Sequence, residues 1–273
     1  MEPKSYTRAA KASQEQFGQQ ASFYAKSITH RNRENLAVIT KLANLSDKEL
    51  VLDVATGVGF TAFALAPTSK WVMGTDITEP MLKEALVEQK RQRIQNVSFG
   101  LASAEQLPFK SDSFDRVVCR TAIHHFGQPE MAILEMARVL APRGFMVLMD
   151  TISPENTDTS EWMDEVEQRR DPSHRRNLTS NQLESAVGTS GVQVIKNFHT
   201  YIPLSLKNWA LRSGTSPDTI AKLFSDFQHA PENVINSFNI KIQDGDALFS
   251  WPCAILQAVK PPMRRVNHAN RTY

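Results

Sequence analysis

Apolar residues recur along this chain in two alternating rhythms. Short, nearly continuous apolar runs at residues 50–55, 71–76, 97–101, 115–119 and 144–150 read as strands, and stretches with helical spacing intervene at 58–66, 80–91 and 129–141. Strands separated by helices predict a parallel sheet covered on both faces, an α/β fold of Rossmann-like type. Ligands of such sheets bind at the carboxyl ends of the strands, where Asp53, Asp76, Ser103, Arg120 and Asp150 fall.

The pattern differs on either side of this core. Residues 1–48 read as helical, with Phe17, Ala21, Tyr24 and Ala25 on one stripe and Leu36, Ile39, Leu42 and Ala43 on another, and they predict a helical cover. After Asp150 a polar segment predicts a helix near 160–170. A second helix at 179–187 is capped by Thr179 or Ser180. Residues 192–202 and 247–259 read as an antiparallel edge pair, and 206–239 have helical spacing at Ile220, Leu223, Phe224 and Phe227. The expected organisation is a core over 49–150, completed by a helix and strand at 179–204 and a final strand at 244–260. Helical lid insertions are expected at 151–178 and 205–243, and a flexible tail at 261–273.

The densest chemical signal is Val51-Leu52-Asp53-Val54-Ala55-Thr56-Gly57-Val58-Gly59-Phe60. A strand with a carboxylate runs into a turn with two glycines and then into a helix start. Glycine admits close backbone approach, and the exposed N–H groups of a helix start attract electron-rich ligands, so the turn predicts a nucleotide-like cofactor. Gly57-x-Gly59-x-x-Ala62 also fits the relaxed dinucleotide fingerprint, with Asp76 in the acidic position, so a nicotinamide oxidoreductase is an alternative. Asp53 weighs against it, because a carboxylate at that strand end repels a pyrophosphate. It suits S-adenosylmethionine (SAM), which carries an ammonium and a sulfonium and no phosphate. Asp76 can accept hydrogen bonds from both ribose hydroxyls.

Further on come Ala104-Glu105-Gln106-Leu107-Pro108-Phe109, Ser113-Phe114-Asp115, Ala122-Ile123-His124-His125-Phe126 and Ala137-Arg138-Val139-Leu140-Ala141-Pro142-Arg143-Gly144. With the opening loop, this ordered series resembles the class I SAM-dependent methyltransferases, and in particular the small-molecule branch similar to ubiquinone/menaquinone methyltransferases. The resemblance implies a seven-stranded sheet, SAM as cofactor, and cofactor contacts from Asp53, Ala55, Thr56, Gly57, Gly59, Asp76, Ile77, Met81, Ser103, Ala104, Glu105 and Arg120. Arg120 is expected to contribute mainly backbone. Three positions depart from the family pattern. Ala55 stands where the family has a glycine, a replacement expected to keep φ negative. Ser103 replaces an acid that often meets the adenine, and Arg143 replaces a turn glycine.

Methyl transfer needs alignment, exclusion of water and, for a weak acceptor, removal of a proton. No catalytic triad or metal cluster is evident. His124 and His125 are adjacent and expected to point in different directions, so they do not form a chelating pair. Either one reads as a general base or a donor that positions the acceptor, or as a backbone-bonded holder of the turn. In the stretch 169–176, His174 and one arginine read either as a solvated loop or as a grip on an anionic or carbonyl-bearing acceptor. Tyr24, Ser27 and His30 share one helix side and can cover the methionine end of the cofactor. Trp209, Phe224, Phe227 and Trp251 can line an apolar acceptor pocket, or simply pack as core.

The 273 residues carry a net charge of only +2, which argues against a nucleic-acid partner held by broad electrostatics. Two cysteines are too few for a disulfide framework, and no apolar run approaches a membrane span, so a cytoplasmic protein is expected. These readings converge on a SAM-dependent methyltransferase acting on a small molecule, aromatic or apolar in character. A catalytically silent SAM-binding scaffold and an RNA methyltransferase are the alternatives.

Overall fold

The computed structural model describes residues 4–25 and 33–262. Ser27, His30 and the stretch from 263 onward lie outside the described residues. Two helices come first, Lys4–Ala25 (α1) and Arg33–Ala43 (α2). The β/α alternation follows with Leu50–Val54 (β1), Phe60–Leu65 (α3), Trp71–Asp76 (β2), Glu79–Gln92 (α4), Val97–Leu101 (β3), Phe114–Arg120 (β4), Pro129–Val139 (α5) and Leu140–Thr151 (β5). The remainder comprises Thr157–Arg170 (α6), Ser180–Thr189 (α7), Gln193–Ser205 (β6), Leu206–Leu211 (α8), Pro217–Gln228 (α9), Glu232–Phe238 (α10), Lys241–Gln243 (β7) and Asp246–Val259 (β8).

The strands form one sheet in the order β3-β2-β1-β4-β5-β8-β6. The first five pair in parallel, and β8 runs antiparallel between β5 and β6. Helices cover both faces, which is why the central strands are mostly apolar on both sides. Leu52, Val54, Val117 and Cys119 face one way, onto Ile133 and Met136 of α5 and Leu183 of α7. Their neighbours Val51 and Val118 face the other way, onto Ile39 of α2 and Phe63 of α3. A period of two along each strand separates the two cores.

β5 ends at Thr151, opposite Cys253, so the first half of β8 projects beyond the carboxyl edge of the parallel strands. It is accompanied there by the end of β6, where Ile202 pairs with Trp251 and Ser205 with Leu248. This overhang carries a third apolar cluster, in which Met163 and Val166 of α6, Trp209 of α8, Phe227 of α9 and Phe238 of α10 pack on Phe249 and Trp251. The helices of 151–178 and 205–243 therefore share one core above the carboxyl edge.

Several boundaries differ from the sequence reading. α5 stops at Val139 and β5 begins at Leu140, because Pro142 lacks an N–H and disfavours helical geometry at Ala141. An eighth strand, β7, joins β8 through Asp244 (φ 50°) and Gly245 (φ 69°), a two-residue Asp-Gly turn of the kind that closes hairpins. The largest correction is at Ala55, whose φ is +55° rather than negative. The turn needs left-handed backbone there, and alanine adopts it at a cost of about 1–2 kcal/mol.

Candidate functional site

The loop after β1 is held from below and from the side. Asp53 is 1% exposed and lies beneath the loop; its Oδ2 accepts the Thr56 hydroxyl at 2.5 Å. Burial pushes its carboxyl up to about 7, against the opposing effects of the Thr56 hydrogen bond and the Arg120 charge. From β2, Asp76 accepts the Gly57 N–H on Oδ2 and the Thr78 N–H on Oδ1, both at 2.8 Å. Burial raises its pKa, and those N–H groups counter the rise. Gly57 has φ +54°, and a Cβ built there meets nothing within 4 Å, so the backbone borders open space. Gly59 has φ +87°, and a Cβ there would lie 2.8 Å from the Phe63 ring; its role is packing.

Glu105 stiffens the opposite rim. Its Oε2 accepts the Ser103 hydroxyl at 2.7 Å, and its Oε1 accepts the Gly127 N–H at 3.1 Å. Between loop and rim lies a chamber of about 970 Å³, mouth included, roofed by Phe17 and Tyr24 of α1. Its wall includes Ala55, Thr56, Gly57, Asp76, Ile77, Met81, Ser103, Ala104, Glu105 and Arg120. Asp53 and Gly59 are not on that wall.

A second chamber, about 780 Å³ with its open mouth included, lies beneath the overhang between the ends of β4 and β5, α6 and α8. Ile202, Leu204, Trp209 and Trp251 form its apolar side, and Glu167, Arg170 and Arg212 its polar side. Phe17, Tyr24, Arg120, Thr121 and His125 border both chambers. Phe224 and Phe227 pack instead within the third core. The Arg120 side chain is held in place there, with Nε donating to the Thr61 hydroxyl at 2.9 Å.

The two adjacent histidines have opposite electrostatics. They sit on a short 3-10 turn, Ile123–His125, whose N–H groups at Ala122 and Ile123 donate to Asp150 Oδ2 at 3.0 and 2.6 Å. His124 Nδ1 lies 2.6 Å from Asp150 Oδ1. Burial works against a charge on His124, but the Asp150 charge and hydrogen bond outweigh it and raise its pKa. His125 is pushed down to about 3, by burial first and then by the neighbouring His124 charge. Their rings do not diverge as expected: the centroids are 4.1 Å apart and tilted by 47°. Among the described residues no group of three or more His, Cys, Asp or Glu is placed to hold a metal ion.

The tautomer of His125 follows from its partners. Ser173 Oγ donates its single proton to Asp171 Oδ1 at 2.6 Å, an ionised carboxylate that can only accept. The Arg170 charge and the Ser173 hydrogen bonds favour the ionised form of Asp171 against the burial that would raise its pKa. The contact of Ser173 Oγ with His125 Nδ1 at 3.1 Å therefore has Nδ1–H as donor. That leaves the lone pair on Nε2. His174 is brought to neither chamber; its side chain is wholly buried, with Nε2 2.9 Å from Asp164 Oδ1.

Sequence reasoning singled out neither Asp171 nor Ser173 individually, nor Glu167 nor Arg212. Asp-Pro-Ser was a usable signal for the first two, since the Ser173 N–H donates to Asp171 Oδ1 at 2.9 Å in a local turn. Nothing in the local pattern marks Glu167 or Arg212.

Comparisons with known proteins agree with this architecture. The family described as a methyltransferase domain matches residues 52–148. The uncharacterised methyltransferase YcgJ of Bacillus subtilis is 30% identical over 248 residues, which span 89% of this chain and 97% of YcgJ. Its crystal structure has a TM-score of 0.80 at 29% identity, covering 84% of this chain and 99% of that one. A Bacillus halodurans protein, BH2331, also reaches 0.80, at 31% identity and the same coverage. The ubiquinone/menaquinone biosynthesis C-methyltransferase UbiE of Rickettsia massiliae is 35% identical over 123 residues, 41% of this chain and 47% of UbiE.

Proposed function

The chain belongs to the class I SAM-dependent methyltransferases, and on that premise we propose that the first chamber holds SAM, the second holds a small-molecule acceptor, and His125 serves the transfer between them. The observation that carries this reading is the shared border of Phe17, Tyr24, Arg120, Thr121 and His125 between two adjoining chambers. SAM supplies, when bound, a methyl group already activated on a sulfonium.

The residues fit that cofactor. Open space at Gly57 admits a ligand against the backbone, where any side chain would intrude. Asp76, fixed by two N–H groups, has lone pairs left for the ribose hydroxyls. Ser103 and Glu105 frame the adenine end, beside Ile77 and Met81. Tyr24 and Arg120 border the methionine end. Asp53 acts through the loop, by holding Thr56, rather than as a direct wall of the chamber.

His125 Nε2 accepts the acceptor's proton as its nucleophilic atom attacks, and the Asp171–Ser173 pair holds the ring in the tautomer that makes this possible. His124, tied to Asp150, braces the turn that presents His125. α6 and α8–α10 act as a lid that excludes water, and the aromatic side of the second chamber suits an acceptor with an apolar or aromatic body.

Calorimetric titration of the protein with S-adenosylhomocysteine (SAH) and with NADH tests the cofactor. One-to-one SAH binding and no NADH binding is expected, and the reverse ends the reading. Tight SAH binding without methyl transfer to any member of a broad acceptor panel would instead favour a silent scaffold.

A further inference from the structure

The polar side of the second chamber is rich in hydrogen-bond donors and poor in acceptors. Arg170 is held on three sides: its guanidinium lies 4.8 Å over the Trp209 ring, Nε donates to the Trp209 carbonyl at 3.3 Å, and Nη1 donates to Glu167 Oε2 at 3.0 Å. Nη2 makes no hydrogen bond among the described residues, although the side chain is only 11% exposed. Across the same chamber Trp251 is 1% exposed, and its indole N–H is buried without a partner. Both side chains are donors only. An apolar ligand would leave them unsatisfied, whereas a ligand oxygen with free lone pairs satisfies them.

Charge points the same way. Among the described residues, Arg120, Arg170 and Arg212 line this chamber with a single carboxylate, Glu167, whose Oε2 accepts from Arg170. The other carboxylates nearby stand behind the wall with partners of their own, Asp150 with His124 and Asp171 with Ser173. A guanidinium fixed by stacking and two hydrogen bonds presents its remaining edge in one orientation, the geometry that recognises a planar or tetrahedral oxyanion.

We propose that the methyl acceptor is an organic oxyanion, a molecule with an apolar or aromatic body and a carboxylate or phosphate group that sits against the open edge of Arg170. This rests on the assignment of the second chamber to the acceptor. Ile202, Leu204 and Trp209 receive the body, and the anionic group orients it toward His125 and the first chamber.

The test is calorimetric, on the full chain saturated with SAH. The probes are benzoate, 4-hydroxybenzoate and 1-naphthoate, each matched with its primary amide, together with phenyl phosphate. At least one acid is expected to bind about 10-fold or more tightly than its amide, consistent with a charge-assisted bidentate contact. In Arg170→Met that preference should shrink to within about threefold, while SAH affinity stays within twofold. Trp251→Phe should weaken the acid by about threefold or more and leave its amide nearly unchanged. Thermal melts establish that each variant is folded; if Arg170→Met is not, Arg170→Lys, which keeps the charge and loses the fork, and Trp251→Phe carry the test. Phenyl phosphate against benzoate decides which oxyanion is preferred. The proposal is overturned if no acid outbinds its amide and phenyl phosphate does not bind, or if the preference survives intact in the folded Arg170 variants. Failure of SAH to bind the native chain would sink the cofactor reading instead, and acid binding without SAH separates the two.

Discussion

His125 Nδ1 lies 3.1 Å from Ser173 Oγ, joining a turn at the end of β4 to a loop 48 residues further along the chain. Because Ser173 spends its proton on Asp171, the contact dictates which ring nitrogen of His125 is free to accept one.

Removing that acceptor should strike turnover and spare the cofactor. His125→Gln is expected to lower kcat by about 100-fold or more, within the usual range for a lost general base, with SAH affinity changed by less than about threefold. Ser173→Ala should cost less, about 10-fold, by freeing the other tautomer. Steady-state kinetics beside SAH titration separates these; unchanged turnover in His125→Gln would remove the base role.

The acid limb of the pH profile should be missing in the neutral range. His125 is held down to about 3, by burial first and the His124 charge second, so it stays neutral above that pH. A kcat/KM profile from pH 5 to 9 should show no loss toward pH 5 that His125→Gln abolishes. An acid limb near the ordinary imidazole value of about 6.5, present only when His125 is there, would contradict this.

His124 and Asp150 should stabilise the fold in a defined pH window. His124 has a raised pKa, so its contribution is full below about 6.5 and is lost as pH rises through the folded value. Asp150 has a lowered pKa, despite burial, so its contribution is present above about 3.9 and is lost as pH falls through the folded value. The pair therefore contributes most between about pH 4 and 6.5. Asp150→Ala, which strands a buried histidine and two N–H groups, should cost about 3–5 kcal/mol at pH 6 and less at pH 9 by urea denaturation.

Asp76→Ala should weaken SAH binding by about 10- to 100-fold, since hydrogen bonds to an ionised group contribute about 1.5–3 kcal/mol. Asp76→Asn keeps the shape and one acceptor oxygen and should fall between that variant and the native chain. Calorimetry reads both directly.

Ala55→Gly should stabilise the protein. The φ of +55° strains an alanine by about 1–2 kcal/mol, and glycine's greater freedom in the unfolded chain returns part of that gain. A rise in Tm of about 1–3 °C is expected, and a lower Tm would show that the methyl group packs usefully.

The frame of this protein was legible wherever local pattern carries the information. Apolar runs buried on both faces marked β1 and β4, and the Gly57/Gly59 turn with Asp76 on the next strand marked the first chamber. The φ of Ala55 was misread because residue type alone does not report how a neighbouring turn constrains the backbone. β7 was missed because three residues carry too little periodicity, although Asp244-Gly245 signalled its turn.

The amino-acid sequence by itself determined the alternation of strands and helices, the Gly57/Gly59 turn and the motif residues Asp76, Glu105 and His125 that line the first chamber, because each depends on spacing over a few residues. Only the tertiary structure decided that His124 carries a raised pKa and His125 a lowered one, that His174 is buried away from both chambers, and that Arg170, Arg212 and Trp251 meet in one wall. The physical reason is that charge and tautomer depend on burial and on partners brought in from distant segments, here Asp150, Ser173 and Asp171, and no local pattern encodes which of them arrives.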